Sequence, residues 1–421
     1  MSAQQDDAER TADLFRRHVN RTWAVMMGGR SEHSASGSYV YSSQGERYLD
    51  CGGHGVLLLG HSHPAVVSAV IEQLGRQALP SRFLLSPIVA EAAARLIEVA
   101  PPGLEYVFFG TSGSDAVEIA IKLARLSGRS RVIAMRDGFH GKTMGALSVT
   151  GRDQFRQPFA PLLPQVEHVP FGDLLALRRA LVAARGQACV FVEPIQAEAG
   201  VILPPPGYLA RVAEACREHD ALLVLDEIQT GLGRTGSWWA AQGESVVPDI
   251  LLAGKILSGG VVPVSAVLAT TAVFEPINHD PILHSATFAN SPIAAAAAKA
   301  TIDVIEQDGL VDRSRVLGER LLDIVTKTLQ TECPGLVRAV RGSGLLIGIE
   351  FAAEASVGEF VFEMFRQSVI CNFSLNAHSV VRLTPSAYLS DDDVTWLTEA
   401  LSRSAVAVAE RTAMDLQEVT L

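Results

Sequence analysis

The chain has 421 residues, and 48% of them are hydrophobic, which is enough for a large buried core and for more than one domain. Its formal net charge is −11, and no basic stripe with interleaved aromatic residues occurs, so neither a nucleic acid nor an anionic membrane is expected as a partner. No uncharged apolar stretch approaches the roughly 20 residues that span a bilayer. The polar start lacks a signal-peptide core and the five cysteines are scattered, which predicts a soluble, cytoplasmic protein without a disulfide framework.

The first predicted elements are a helix over about residues 11–30 and a hairpin over Ser38–Asp50. From residue 63 to residue 305, short apolar runs alternate with stretches of helical periodicity. This alternation predicts an α/β domain in which helices connect the strands of a mostly parallel sheet. Its clearest strands are Tyr106–Phe109, Arg131–Ala134, Cys189–Val192, Ala221–Leu225, Ile250–Leu252 and Ser265–Leu268.

The remaining chain predicts a smaller α+β domain. An alanine-rich helix over Ile293–Ala300 leads toward it. It is expected to contain strands around Val337–Phe351, a helix near Phe360–Gln367, a strand at Val380–Leu383 and a closing helix from Asp391. We therefore expect three segments, with residues 1–62 joining the small domain, residues 63–305 forming the large domain, and residues 306–421 forming the C-terminal small domain.

Open parallel sheets bind ligands beyond the carboxyl ends of their strands, so the residues directly after each apolar run are the candidates for a site. Gly113 and Ser114 open a helix after the first of these runs. Free backbone N–H groups there suit a phosphate, although an ordinary helix cap explains the same residues. Asp226 ends a buried strand, where a carboxylate needs a partner such as a protonated heterocyclic nitrogen, a salt bridge or a helix end.

Lys255 follows another buried strand and has apolar and glycine neighbours. Desolvation would lower the pKa of its amine and favour Schiff-base chemistry, unless the side chain extends to the surface. Phe139 could stack on a planar ring or simply pack in its loop. Glu193 and Glu198 lie five residues apart, which is more typical of a solvated loop than of a paired acid and base.

Two further motifs resemble ligand sites but lack the surroundings that such sites need. Residues 231–236 match the dinucleotide fingerprint G-x-G-x-x-G, but intervening residues separate them from the strand and no clear helix start follows. His61 and His63 have no evident third ligand, so no metal site is expected.

The order of these features is more specific than any one of them. Phosphate cradle, aromatic residue, carboxylate and lysine are followed by Thr287, and in this order the chain resembles the class III (ω) aminotransferases of fold type I, from about Tyr39 to Leu401. The most specific stretch is LDEIQTGLGRTG at residues 225–236, followed by Gly254 and Lys255. Within the class the chain looks closest to putrescine aminotransferases, on the segments FHGKT (139–143), FVEPIQ (191–196), PPPGY (204–208) and EMFRQ (363–367).

The resemblance implies a pyridoxal 5′-phosphate enzyme that forms a homodimer with its active site at the subunit interface. Lys255 would hold the cofactor as a Schiff base, Asp226 would pair with its ring nitrogen, and Phe139 would stack on the ring. The remaining cofactor contacts implied are Gln229 to the phenolic oxygen, Glu193 as a support, and Gly113, Ser114 and Thr287 of the partner subunit to the phosphate.

For the substrates, the resemblance implies that Arg382 binds a carboxylate and that Glu198 neutralises it when a carboxylate-free amine is bound. The expected reaction transfers an amino group from a terminal amine to a 2-oxo acid. Lys142 stands where ornithine-type members carry an arginine, which favours a diamine or a decarboxylated amine. Ala289 and Asn290 replace a usual glycine pair, and this departure favours the alternative of racemisation, elimination or replacement, or carbon–carbon bond formation.

Overall fold

The computed structural model describes residues 3–26, 30–81 and 83–418. Its α-helices are α1 (Ala3–His18), α2 (Arg21–Met26), α3 (Pro64–Arg76), α4 (Pro87–Glu98), α5 (Gly113–Leu126), α6 (Met144–Val149), α7 (Asp153–Arg156), α8 (Leu174–Ala184), α9 (Tyr208–Glu218), α10 (Thr271–His279), α11 (Pro292–Gln307), α12 (Leu310–Glu332), α13 (Ala355–Arg366) and α14 (Asp391–Glu418). Its strands are β1 (Glu32–Ser36), β2 (Tyr39–Ser42), β3 (Arg47–Asp50), β4 (Tyr106–Gly110), β5 (Arg131–Met135), β6 (Val166–Val169), β7 (Ala188–Val192), β8 (Leu222–Asp226), β9 (Ile250–Ala253), β10 (Ser265–Ala269), β11 (Val337–Ser343), β12 (Leu346–Phe351), β13 (Val369–Ile370), β14 (Asn372–Phe373) and β15 (Val380–Leu383).

The largest sheet has seven strands in the order β4-β10-β9-β8-β7-β5-β6. Strand β10 runs antiparallel to β4 and β9, and the other neighbouring pairs run parallel. Strands β7, β9 and β10 are buried at every residue because helices cover both faces of the sheet. The predicted α/β fold with a mixed, mostly parallel sheet is therefore confirmed. Edge strand β6 is not among the six predicted strands.

Two smaller sheets complete the fold. The predicted hairpin at Ser38–Asp50 is formed by β2 and β3, within a sheet of order β1-β2-β3-β13. The C-terminal sheet has the order β11-β12-β15-β14 and is antiparallel throughout. The predicted strands around Val337–Phe351 are edge strand β11 and central strand β12, and the predicted strand at Val380–Leu383 is central strand β15.

The amino-terminal helix differs from its prediction. The segment predicted over residues 11–30 belongs to α1, which begins at Ala3, and to α2, while residues 27–29 lie outside the described residues. The helix breaks where the N–H groups of Val19 and Asn20 both bond to the Phe15 carbonyl.

The alanine-rich helix α11 lies between the last strand of the seven-stranded sheet and the carboxy-terminal part of the chain. Helix α11 buries Ala294–Ala298 against α3 and α4, because small side chains allow helices to approach closely. In the part of the chain that the structure describes, no helix is both long and apolar enough to cross a membrane.

Candidate active site

The candidate residues gather at one edge of the seven-stranded sheet, where its parallel strands end. Asp226 is the last residue of β8, and Lys255 lies two residues beyond β9. Glu193 directly follows β7, and Phe139 lies on the loop after β5. Because parallel strands share one carboxyl edge, residues far apart in the sequence converge there.

Lys255 is held close to several charged groups. The residue as a whole is only partly buried, yet protein atoms surround its amine closely, and this desolvation lowers the pKa of Lys255 to about 8. Among the charges, Glu198 opposes this lowering most strongly, and Arg382 adds to it. Asp226 and then Glu193 oppose it less. A lowered pKa makes the neutral, nucleophilic amine accessible near neutral pH.

Asp226 has a histidine partner. Nδ1 of His140 lies 2.7 Å from Oδ2 of Asp226, and both side chains are buried. Burial opposes a charge on His140, but the hydrogen bond and the charge of Asp226 outweigh it, so the pKa of His140 is raised. The other Asp226 oxygen accepts from the Ile228 N–H at 3.2 Å. A carboxylate held in this way can serve as a buried negative charge for a protonated ring nitrogen.

Glu193 secures the loop that carries the aromatic residue. Its Oε2 accepts a hydrogen bond from the Phe139 N–H at 3.0 Å. Burial raises the pKa of Glu193 to about 7, with His140 acting in the opposite direction. Glu193 is thus buried rather than solvated, and it acts on the backbone of Phe139.

Gln229 is a buried side chain whose polar atoms are unused. It is 6% exposed, and neither Nε2 nor Oε1 has a hydrogen-bond partner in the described chain. Leaving a buried amide unpaired costs about 1–3 kcal/mol. Gly55 lies against it, since an added Cβ on Gly55 would come within 2.1 Å of Gln229 Nε2. These unpaired atoms fit a polar ligand such as the phenolic oxygen of pyridoxal phosphate.

The start of α5 has free donors. Ser112 caps the helix by accepting from the Asp115 N–H at 3.2 Å. The N–H groups of Gly113 and Ser114 precede the first intrahelical bonds and remain available to an anion. This arrangement suits the cofactor phosphate.

Thr287 is not joined to this cradle within one chain. It is an exposed residue on the loop before α11. Phe288 beside it is 56% exposed, and Phe83, Leu84 and Leu85 are 95%, 79% and 99% exposed. Exposed apolar side chains that lie next to one another are a feature of interaction surfaces.

Glu198 and Arg382 form a buried ion pair. Arg382 Nη1 lies 2.7 Å from Glu198 Oε1, and the side chains are 3% and 7% exposed. The other Glu198 oxygen accepts from the Leu375 N–H at 3.0 Å. Burial raises the pKa of Glu198, but Arg382 and then Lys255 attract its negative form more strongly, so the pKa is lowered overall. The interpretation of this glutamate as part of a solvated loop is wrong, because a counter-charge holds it inside.

Asn290, which stands where the resemblance to class III aminotransferases implies a glycine, has a backbone conformation that is common for glycine. Its φ is +52°, a conformation that asparagine tolerates better than most residues. Its side-chain oxygen accepts from the Phe109 N–H at 2.9 Å, and its own N–H donates to the Phe109 carbonyl at 2.9 Å. The side chain of Asn290 is therefore bonded to the outer edge of β4 instead of projecting freely into a pocket.

The desolvated amine of Lys255, the carboxylate at the end of β8 and the helix start after β4 together define a site for a pyridoxal-phosphate enzyme. A family model, aminotransferase class-III, matches residues 26–405, and the chain belongs to this family. Members of the class are transaminases that use pyridoxal 5′-phosphate, and this chain is an aminotransferase of class III.

Solved structures of transaminases share the fold. The ornithine aminotransferase of Toxoplasma gondii ME49 is 31% identical with a TM-score of 0.89, covering 98% of this chain and 97% of that chain. The ornithine δ-aminotransferase of Plasmodium falciparum is 29% identical with a TM-score of 0.79, covering 91% and 94%. An amine transaminase from an uncultivated Pseudomonas species, in its PLP-bound form, is 28% identical with a TM-score of 0.84, covering 90% and 95%.

Some residues of the site had no role in the sequence reading. His140 stands next to Phe139 in the quoted motif, but the sequence does not show that it reaches Asp226. Gly55 lies in the run Gly-Gly-His-Gly, whose glycines signal a close backbone approach without naming the partner.

Proposed function

We propose that this aminotransferase moves an amino group from a terminal amine, such as a diamine or another ω-amino compound, to a 2-oxo acid. The observation that carries the proposal is the buried Glu198–Arg382 pair, whose charges both act on Lys255. Arginine binds carboxylates in a bidentate manner, so Arg382 suits the carboxylate of a 2-oxo acid.

The carboxylate of Glu198 explains how the same pocket accepts an amine without a carboxylate. An arginine left unpaired in a buried position destabilises a protein by several kcal/mol. Glu198 supplies the missing negative charge at 2.7 Å when no substrate carboxylate is present. It moves aside when the 2-oxo acid takes its place, so one site serves both half-reactions.

The geometry of the site supports the proposed roles of the cofactor residues. When bound, pyridoxal phosphate withdraws electrons from the substrate carbon. Lys255 binds it covalently and moves a proton between substrate atoms, and Asp226 keeps its ring nitrogen protonated. The hydrogen bond from His140 at 2.7 Å orients Asp226 for this role.

The other proposed contacts fix the orientation of the ring. Phe139 packs against it, on a backbone that Glu193 holds at 3.0 Å. Gln229 satisfies its unpaired amide on the phenolic oxygen. The phosphate is bound by Gly113, by Ser114 and by Thr287 of the partner subunit.

Lys142 supports an amine that lacks an α-carboxylate. Its Nζ lies 4.4 Å from the ring centroid of Phe155 and 5.9 Å from that of Phe139. An ammonium held over aromatic rings presents one point charge and not the planar fork of an arginine, so it is a weaker clamp for a carboxylate. Putrescine-like diamines are therefore the first candidates. Ornithine is the second, because the Toxoplasma and Plasmodium structures are named ornithine aminotransferases.

Transamination is favoured over another pyridoxal-phosphate reaction by the position of Asn290. The departure from the family at this residue suggested a reshaped pocket. Its side chain is instead bonded to the backbone of Phe109, at 2.9 Å. Asn290 therefore gives no support for a changed reaction type, and the buried pair beside Lys255 suits transamination.

We further propose a homodimer with the active site at the interface, supported by the exposure of Thr287 and of Phe83, Leu84 and Leu85. Light scattering of the purified protein tests it, and replacing Leu85, which is 99% exposed, with aspartate should weaken the dimer. A monomer with full activity would contradict the proposal.

We also propose the division at residues 62/63 and 305/306, where the second boundary lies in the last turn of α11 (Pro292–Gln307). A cytoplasmic location is proposed because all five cysteines are buried free thiols.

The visible spectrum of the purified enzyme tests the reaction directly. Putrescine, other diamines, ornithine and α-amino acids are added one at a time, and then 2-oxoglutarate or pyruvate. Bleaching of the yellow absorbance by a terminal amine, and its return with a 2-oxo acid, is the expected result. A band that shifts with substrate but never bleaches would exclude transamination and favour racemisation, elimination or carbon–carbon bond formation.

A further inference from the structure

Two arginines lie in one row across the C-terminal sheet. Arg341 of β11 is directly opposite Gly348 of β12, and Gly348 is directly opposite Arg382 of β15. Residues opposite one another in neighbouring strands project from the same face of a sheet. Arg341 and Arg382 therefore flank a position that has no side chain.

The turn that carries Glu198 fills the gap above Gly348. An added Cβ on Gly348 would lie 3.0 Å from the Val201 side chain and 3.1 Å from the Gly200 carbonyl oxygen. The glycine thus lets the turn approach the strand. Arg382 binds Glu198 at the start of this turn, which leaves its end to the other arginine.

The end of the turn has a strained backbone. Gly200 has a φ of +105°, and Val201, which is fully buried and β-branched, has a φ of +56°. A positive φ is rare for a β-branched residue and persists only where the surroundings impose it. The antiparallel bridge between Gln196 and Ile202 closes the base of the turn, at 3.1 and 3.0 Å.

Arg341 donates hydrogen bonds to the strained end of the turn. Its Nε donates to the Gly200 carbonyl at 2.8 Å and to the Val201 carbonyl at 3.1 Å. Its Nη1 pairs with Glu350 at 2.5 Å, which fixes the guanidinium. One side chain therefore bonds the carbonyls of both residues with positive φ.

We propose that Arg341 is a positioning residue that holds the strained 198–201 turn, so that the carboxylate of Glu198 faces Arg382. Through Glu198 it sets how well the site discriminates between an amine without a carboxylate and a 2-oxo acid. The effect on substrate discrimination rests on the proposed function, whereas the positioning of the turn does not.

Amide hydrogen exchange of the holoenzyme tests the positioning. The Leu375 N–H donates to the Glu198 carboxylate at 3.0 Å, and the Asn376 N–H donates to the Glu198 carbonyl at 2.9 Å. Their exchange rates report whether Glu198 stays in place. In Arg341→Ala we expect both amides to exchange about tenfold faster, because the turn relaxes once its strained conformation is no longer imposed.

Arg338→Ala is the matched control. Arg338 lies on the same strand and pairs with the same Glu350 at 3.3 Å, but it is 65% exposed and has no bond to the turn. Exchange at residues 375 and 376 should be unchanged in this variant. Equal exchange in the two alanine variants would overturn the inference. Arg341→Lys keeps the charge and can reach one carbonyl, so an intermediate rate is expected, and it carries the same comparison if the alanine variant does not fold.

Half-reaction kinetics then test whether the position of the turn also affects substrate discrimination. In Arg341→Ala, KM for the best amine in the spectral screen should rise more than KM for 2-oxoglutarate, with kcat changed less, because the amine needs Glu198 on Arg382. Faster exchange combined with unaltered KM values would support Arg341 as the holder of the turn and refute the charge switch. Unchanged exchange refutes the positioning role whatever the kinetics.

Discussion

Replacing Arg382 with alanine is the most direct test of the proposed charge switch. The side chain is 3% exposed and its guanidinium lies 2.7 Å from Glu198, so its removal leaves a buried carboxylate without its counter-charge. Breaking a buried pair at one partner typically costs about 3–5 kcal/mol of stability. The Leu375 N–H, which still reaches Glu198 at 3.0 Å, keeps the cost toward the lower end of that range.

The catalytic effect should be unequal between substrates. A hydrogen bond between charged groups contributes about 1.5–3 kcal/mol, which corresponds to binding of the 2-oxo acid weakened by roughly 10- to 150-fold. The amine has no carboxylate for Arg382 to bind, so its KM should change much less. Thermal melting first establishes a temperature at which the variant is folded, and each substrate is then varied separately at that temperature.

Glu198→Gln is the control, since it keeps Arg382 and the approximate shape of its partner while removing the negative charge. It should weaken use of the amine and spare the 2-oxo acid. Equal losses for both substrates in Arg382→Ala, with a normal melting curve, would refute the reasoning.

Three other changes test separate parts of the structure. Lys255→Ala should abolish turnover and leave the melting temperature nearly unchanged, because it removes a buried amine; full activity would contradict the assignment of this lysine. Asn290→Gly should cost about 1–3 kcal/mol by leaving the Phe109 N–H unpaired, and Asn290→Ala about 1 kcal/mol more because of its positive φ; urea denaturation measures the difference. Burial, and then Arg156, lower the pKa of His168 from 6.5 to about 4, so its contribution to stability is present above pH 6.5 and is lost as the pH falls toward 4. That contribution is about 3 kcal/mol, and His168→Gln should flatten the pH dependence of unfolding in this window.

The cofactor half of the site could be placed from the sequence because it depends on strand ends. Asp226 and Lys255 follow apolar runs that read clearly as strands, and parallel strands share one carboxyl edge. The six predicted strands of the large sheet all correspond to observed ones. Edge strand β6 is partly exposed and has only one neighbour, so its residues carry a weaker apolar signal.

The rest of the site depends on strand register and on side-chain direction, which a single sequence does not reveal. Arg341 and Arg382 are 41 positions apart, and only the pairing through Gly348 places them on one face. Glu198 looks like a residue of a polar loop until Arg382 is seen beside it. His140 and Phe139 are adjacent in the sequence, yet their side chains have different partners. His140 bonds to Asp226, whereas the ring centroid of Phe139 lies 5.9 Å from Nζ of Lys142.

Glu198 is expected to take up a proton when a 2-oxo acid binds to Arg382. In the free enzyme Arg382 and Lys255 outweigh burial and hold the pKa of Glu198 below its ordinary value of 4.5. When a 2-oxo acid occupies Arg382, that attraction is lost while the burial remains, so the pKa of Glu198 must rise and a proton is taken up on binding. Binding of the 2-oxo acid should therefore weaken as the pH rises from the free-enzyme pKa to the higher pKa of the complex, whereas amine binding should not show this term. The measurement is KM for 2-oxoglutarate across pH in the wild type and in Glu198→Gln. In the variant, the part of the pH dependence of KM that is due to this group should disappear. An identical pH dependence in both proteins would show that Glu198 leaves the pocket as a solvated carboxylate instead.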